Sequence, residues 1–230
     1  LDMGFEPQIR ALLKPLPRDR QGLLFSATLP DAVHALARSL LRDAASVEAD
    51  DAPPPAITHR FVEVASTQRA QVLAALLLAH RPTACVAFCN MRRDVDEVCG
   101  SLQHYGFAAL ALHGDMEQRD REEALVQFAN GSATVLVATD VAARGLDIES
   151  IDAVVNVDVP TDADTFVHRI GRTGRAGREG RAWTLCDERE QARLNPIVER
   201  LPKAQAWEDI APVSGRPRGV PAPAMATLRI

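Results

Sequence analysis

The run His168-Arg169-Ile170-Gly171-Arg172-Thr173-Gly174-Arg175 is where residue type and spacing point most directly to chemistry. Arg172 and Arg175 stand three apart, so on a helical turn they share a face, and two guanidinium forks can close on one polyphosphate. Gly171 and Gly174 allow close backbone approach. Phosphoryl transfer spreads negative charge over the transferred group, and an arginine aimed at that charge supplies roughly 10³ to 10⁵ in rate, about 4–7 kcal/mol of barrier. The alternative is a solvated basic turn that pairs with Glu179, Asp162 or Asp164.

Three further segments carry polar groups just past apolar runs. After Val135 to Ala138 come Thr139, Asp140, the small residues Ala142 and Ala143, then Arg144, Gly145 and Asp147. Main-chain amides and a hydroxyl there become available to a phosphate or ribose, and Asp147 could bind sugar hydroxyls. A strand-to-helix connection capped by Thr139 or Asp140 is the alternative for this segment taken alone. In His113 to Arg121, Gln118 and Arg121 share the first turn of a helix, where the macrodipole favours an anion such as a backbone phosphate. N-capping by Asp115, with surface ion pairs among 117–123, is the other reading. Asn90 ends a strand and could donate to a phosphate oxygen or simply form a turn. Ser26-Ala27-Thr28 is by itself a helix-start signal.

These residues need a scaffold, and the pattern supplies one. Helical spacing over 9–16, a strand over 21–25 and a helix over 30–41 precede Asp50 to Pro55, whose three prolines after two acids can continue neither helix nor central strand. Residues 1–52 therefore read as the tail of a preceding domain and 53–57 as a linker; the opening at Leu1, without methionine or cap, looks like a cut. A single strand cannot make a sheet, so Leu23, Leu24 and Phe25 would need strands from elsewhere. Over 58–210, strands at 58–64, 84–88, 108–112, 134–138, 153–157 and 180–185 alternate with helices at 67–79, 93–105, 118–130 and 164–170. Strands that are almost wholly apolar, set between amphipathic helices, predict an α/β, doubly wound, mostly parallel sheet with helices on both faces. Ligands of such sheets sit outside the carboxyl ends of the strands, where the four segments lie. Residues 211–230, rich in Pro, Gly, Ala and Arg, read as a second linker.

Composition narrows the class. The 230 residues are 47% hydrophobic and 25% charged, which is ordinary globular usage. The net charge of −5 argues against a broad polyanion-binding surface, yet Arg169, Arg172, Arg175, Arg178 and Arg181 put five cations into thirteen residues, so polyanion contact should be local. The longest apolar run, Val72 to Ala79, falls far short of the ~20 residues of a membrane span, and no signal-peptide pattern opens the chain. A cytoplasmic, non-membrane chain is expected. Cys85, Cys89, Cys99 and Cys186 form no CxxC pair, which implies reduced, buried thiols and no metal site.

In order and spacing these segments resemble the motifs of the DEAD-box ATP-dependent RNA helicases. Ser26-Ala27-Thr28 resembles motif III, Phe88-Cys89-Asn90 motif IV, Gln118 to Arg121 motif IVa, Ala138 to Asp147 motif V and His168 to Arg175 motif VI, while Leu1 to Phe5 looks like the residues just after the Asp-Glu-Ala-Asp box. The resemblance implies a RecA-like C-terminal helicase domain over 58–210, preceded by a remnant of a first RecA-like domain. It implies that Arg172 and Arg175 act on the γ-phosphate of ATP, with Gly145 and Asp147 at the nucleotide ribose. Asn90, Gly114, Gln118, Arg121, Thr139 and Ala143 would line the RNA backbone, and Ser26, Thr28, Arg144 and His168 would couple the two domains. ATP with Mg²⁺ would be held mainly by the preceding domain of a monomeric enzyme. Met91 departs from the pattern, since threonine is frequent there, and His113 reads as structural. Gln127 to Asn130 and Ala224 to Leu228 look like the DbpA-like bacterial subgroup, whose members carry a further C-terminal domain for a 23S ribosomal RNA hairpin and act in large-subunit assembly. A non-catalytic RNA-binding scaffold, or a DNA translocase of the wider helicase superfamily, are the alternatives.

Overall fold

In a computed structural model the described residues are 6–17, 19–25, 31–47, 57–143, 151–175, 178–199 and 206–207. The chain divides into two compact units, Leu1–Pro53 and Pro54–Ile230. The first contains helices α1 (Glu6–Leu13) and α2 (Asp31–Leu40), joined by a bond from Arg10 Nη2 to Ser39 Oγ of 3.0 Å. The strand expected over 21–25 does not form: those residues have no ladder partner. Leu23 and Phe25 are 68% and 88% exposed. Strand propensity without a neighbouring strand leaves the backbone groups unpaired, which is why the expectation fails there.

Among the described residues the second unit has seven parallel strands: β1 (Ile57–Glu63), β2 (Cys85–Phe88), β3 (Ala109–Leu112), β4 (Val135–Ala138), β5 (Ala153–Asn156), β6 (Gly180–Cys186) and the two-residue β7 (Ala206–Trp207). Their spatial order is β3-β4-β2-β5-β6-β1-β7. Helices α3 (Arg69–His80), α4 (Arg92–His104), α5 (Gln118–Ala129), α6 (Ala163–Ile170) and α7 (Gln191–Glu199) cover the sheet. Alternate residues of each strand point to opposite faces. Cys85, Ala87, Val135 and Val137 meet Leu73 and Leu76 of α3 and Val95 and Leu102 of α4. Val86, Phe88, Leu136 and Val154 meet Phe128, Phe166, Leu194 and Ile197 of α5, α6 and α7. Burial on both faces, about 1.5–3 kcal/mol for each large side chain, is why these strands read as continuous apolar runs. The α/β doubly wound architecture expected from the pattern is the one observed. Helix α7 was not legible, because Pro196 interrupts it and only Leu194 and Ile197 carry its buried stripe.

Register sets the strand ends level. Phe88 stands opposite Ala138 on one side and Asn156 on the other, and Leu112 opposite Ala138. The segments after β2, β3, β4 and β5 therefore leave the sheet side by side. The four cysteines are all buried; burial, and then the charge of Asp152, pushes the Cys85 thiol up to about 12, which keeps it chemically quiet.

Gly180 opens β6 beneath the loop at 173–174. A Cβ there would lie 2.5 Å from the Gly174 nitrogen and 2.8 Å from the Thr173 side chain. Gly180→Ala is expected to destabilise the chain by about 2 kcal/mol through overpacking, read as a lower urea midpoint at unchanged slope.

Candidate functional site

The polar segments at the strand ends converge on one side chain. Helix α6 is short and amphipathic, and its buried stripe is Phe166, Arg169 and Ile170, so an arginine occupies the position where an apolar residue would be expected. Asp162 caps the helix by accepting from the Thr165 amide at 2.7 Å. Arg169 is 1% exposed. Its Nε and Nη2 donate to the two carboxylate oxygens of Asp140 at 2.6 and 2.7 Å. Nη2 also donates to Asn90 Oδ1 at 2.7 Å, and Nη1 to the Asp158 carbonyl at 3.0 Å. The guanidinium carbon sits 5.3 Å from the centroid of the Phe88 ring. Bidentate pairing, four acceptor groups and an aromatic face together satisfy a charge that water cannot reach.

A buried polar chain continues inward. Asn156 Oδ1 accepts from Arg169 Nη1 at 3.4 Å, and Asn156 Nδ2 donates to Thr184 Oγ1 at 2.9 Å. The Thr184 hydroxyl is also hydrogen-bonded to His59 Nε2, 3.0 Å away. Burial lowers His59 to about 4, so it is neutral at physiological pH.

Three residues beyond Arg169 the chain forms the arginine turn. Arg172 N donates to Arg169 O at 3.1 Å, and Thr173 N to Ile170 O at 3.1 Å. The buried Thr173 hydroxyl donates to Ile151 O at 2.6 Å, and Gly174 packs on Gly180, so the turn lies at the amino ends of β5 and β6 and not past the carboxyl ends, where the pattern placed it; α6 runs back along the sheet before the turn forms. Gly174 takes φ +71°, a left-handed conformation that favours glycine. Arg175 Nε donates to Gly171 O at 2.8 Å. Arg172 is half-buried and Arg175 exposed. Burial, and then the charge of Arg175, lowers the pKa of Arg172 below the ordinary arginine value. Two cations close enough to repel are thus carried on a fixed backbone, an arrangement that an anion bound beside them would relieve.

The remaining expected site residues divide. Asn90, besides holding Arg169, donates from Nδ2 to Val159 O at 3.0 Å. Thr139 is nearly buried, its amide bonded to Leu112 O and its carbonyl accepting from the Ala143 amide. Ala143 is 2% exposed and packs in the core, so its methyl faces inward and not toward an RNA surface. Gly114 is exposed, and a Cβ there would meet nothing within 4 Å, so internal packing gives no reason for glycine and leaves room for a ligand. Gln118 is exposed and donates to Glu122 at 2.8 Å; Arg121 is half-buried at the same helix start. His168 is exposed beside the arginine turn. His113 is structural: it accepts from the Asp115 amide at Nδ1, and Nε2 lies 3.0 Å from Asp96. Asp115 pairs with Arg92 and does not cap α5 through its side chain, since the position before that helix is Glu117. Ser26, Thr28, Arg144, Gly145 and Asp147 lie outside the described residues.

Arg169 and Asp158 were not singled out from sequence. The available signal was helix phase, since Arg169 falls three after Phe166 and one before Ile170 on the inward face, with Asp140 just past a buried strand. Arg169→Leu is expected to destabilise the chain by about 3 kcal/mol, because Asp140 and Asn90 lose their partner in a site of low dielectric. Urea denaturation of both chains reads this directly.

Comparisons with known proteins agree with this geometry. Residues 68–177 match the helicase conserved C-terminal domain. The chain is 47% identical over 210 residues to the ATP-dependent RNA helicase DbpA of Escherichia coli K12, covering 90% of this chain and 46% of that protein. It is 42% identical over 205 residues to the DEAD-box ATP-dependent RNA helicase CshA of Geobacillus kaustophilus, covering 88% and 44%. The chain thus spans somewhat less than half the length of these relatives. Among solved structures, the E. coli DEAD-box protein SrmB, crystallised with the regulator RraA, is 34% identical with TM-score 0.62, covering 66% of this chain and 90% of that one. Saccharomyces cerevisiae Dbp5 bound to RNA and ADP BeF3 is 29% identical with TM-score 0.80, covering 90% and 56%. With its RecA-like sheet and its motif residues at the strand ends, the chain belongs to the DEAD-box helicase family, carries that family's C-terminal helicase domain and is DbpA-like.

Proposed function

We propose that this chain is the part of an ATP-dependent RNA helicase that supplies the arginine pair to ATP and half of the RNA-binding edge. The observation that carries the reading is the pinned turn of Arg172 and Arg175, two mutually repelling cations on a backbone anchored to Ile151 before β5 and packed on Gly180 at the start of β6. A developing negative charge on the γ-phosphate stabilises that pair, and the pair stabilises the charge, without reorganising the backbone. Gly145 and Asp147 are assigned to the ribose by their motif positions. Asn90, Gly114, Gln118, Arg121, Thr139 and Ala143 are assigned to the RNA backbone, Ala143 through its main chain. Ser26, Thr28, Arg144 and His168 are assigned to coupling with a partner domain.

Among the described residues no cluster of three His, Cys, Asp or Glu side chains could hold a metal ion. By the motif resemblance, the Mg²⁺ that accompanies ATP, and would screen its phosphates, is assigned mainly to a partner domain. Contacts to phosphate and 2′-hydroxyl groups would give a sequence-independent grip on RNA over DNA. ATP and RNA that each bind the closed arrangement better than the open one become coupled through that preference. The 47% identity to an ATP-dependent RNA helicase supports RNA as the partner; ribosomal RNA as the target, large-subunit assembly in the cytoplasm and a monomeric enzyme are proposed from the motif resemblance to the DbpA-like subgroup. No helix among the described residues is long and apolar enough to cross a membrane.

In the full-length protein, Arg172→Ala or Arg175→Ala is expected to lower the rate of RNA-stimulated ATP hydrolysis by roughly 10³-fold with RNA affinity largely kept. Unchanged turnover in both variants removes the assignment. The 230-residue chain contains no GxxxxGK[ST] segment and no Asp-Glu-Ala-Asp box, so purified alone it is expected to show no RNA-stimulated ATP turnover. Competition between RNA and DNA strands in the full-length ATPase assay separates this reading from a DNA translocase.

A further inference from the structure

We propose that Arg69 is a positioning residue for the RNA-binding edge: clamped between Asp158 and Glu190, it holds the Asp158 carboxylate against the main-chain amide of Asn90. The proposal rests on the reading of Asn90 as an RNA contact. Arg69 is the first residue of α3, where a cation opposes the helix macrodipole, so the helix itself gives no reason for it. It is 9% exposed, with Nη1 bonded to Asp158 and Nη2 to Glu190. Both carboxylates are themselves largely buried, and the Nε of Arg69 is buried without a partner. A buried ion cluster with an orphaned donor is a poor means of stabilising a core, and apolar residues of similar volume do as well or better. What such a cluster supplies is geometry.

Each arm is fixed at its far end. Glu190 closes the single turn Glu188–Glu190 after β6, and its Oε2 also accepts from the Asp187 amide at 3.1 Å. On the other side, Asp158 Oδ2 accepts from the Asn90 amide at 2.8 Å, while the Asp158 carbonyl accepts from Arg169 Nη1. Asp158 is therefore held by one arginine at its carboxylate and by another at its carbonyl, and Asn90 is tied to both. The second arginine is explained by the arginine turn it carries. The first touches nothing at that turn, and its route to the site runs through Asp158 to Asn90.

The test uses the amide spectrum of the 230-residue chain and its affinity for a short oligouridylate. Arg69→Met combined with Glu190→Gln removes the guanidinium without stranding the Glu190 charge. The Asn90 amide resonance is expected to shift upfield as its carboxylate acceptor is released, with oligouridylate affinity falling about 10-fold. Glu190→Gln alone keeps an oxygen for Nη2 and is expected to leave both readings in place. Leu194→Ala, a core truncation on α7, serves as the control for lost stability and is expected to lower the melting temperature without moving Asn90. Should the double variant not fold, Arg69→Lys replaces it, since a lysine keeps the charge but engages one carboxylate at a time; a broadened Asn90 resonance and an affinity loss of about 3-fold are then expected. An Asn90 resonance and an affinity in the Arg69 variants equal to those of the Leu194→Ala control would overturn the proposal. If the wild-type chain binds no oligouridylate, the functional reading falls, and the Asn90 resonance still decides whether Arg69 positions that residue.

Discussion

Burying a guanidinium to 1% exposure is costly unless the protein replaces the hydrogen bonds that water would make. Arg169 achieves this with acceptors drawn from the ends of three strands: Asn90 after β2, Asp140 after β4, and Asn156 and Asp158 at and beyond the end of β5. The arrangement exists because β2, β4 and β5 finish level. A one-residue slip in any of them would turn its side chains to the opposite face and strand the charge. Sheet register and the arginine are therefore mutually dependent, and the helix that bears Arg169 can dock in a single orientation.

That orientation delivers the turn that bears Arg172 and Arg175. Gly171 comes directly after α6, and the backbone bonds from Arg172 to Arg169 and from Thr173 to Ile170 extend the fixed geometry by one more turn. Thr173, anchored on Ile151, and Gly180, packed beneath Gly174, hold it from below. The backbone of Arg172 and Arg175 is consequently placed by a scaffold, and Arg175 adds its own bond from Nε to Gly171 O. Donors held in advance of the charge they meet lower a barrier more than donors that must reorganise. The repulsion between them is the cost of that preparation, and it is smallest when an anion is present.

The parts legible in the sequence are those fixed by burial. Runs such as Val135 to Ala138 are apolar throughout because both faces of the sheet are covered, and the helices between them, apart from α3 with its continuous run Val72 to Ala79, show one apolar stripe each. Less legible were elements whose fate depends on context. Leu23, Leu24 and Phe25 have strand propensity, yet this unit gives them no ladder to join. Helix α7 hides behind Pro196. Arg169 and Arg172 are indistinguishable as residue types in one basic run, and only the phase of α6 sends the first inward and leaves the second at the surface. Ala143 shows the converse: a position in a ligand-edge motif whose side chain belongs to the core. Arg69 carried no sequence signal, because its partners Asp158 and Glu190 are 89 and 121 residues away.

The dependence of the arginine turn on the buried clamp can be measured in the chain itself. Amide hydrogen exchange at Arg172 and Thr173 would be compared between the wild type and Arg169→Lys, which keeps the charge but loses the fork on Asp140. If Arg169 fixes the turn, exchange at these two amides accelerates by about 10-fold or more while the amides of β2 and β4 keep their protection. Wild-type exchange rates at Arg172 and Thr173 in the lysine variant would show that the turn holds its shape without the clamp and would contradict the account.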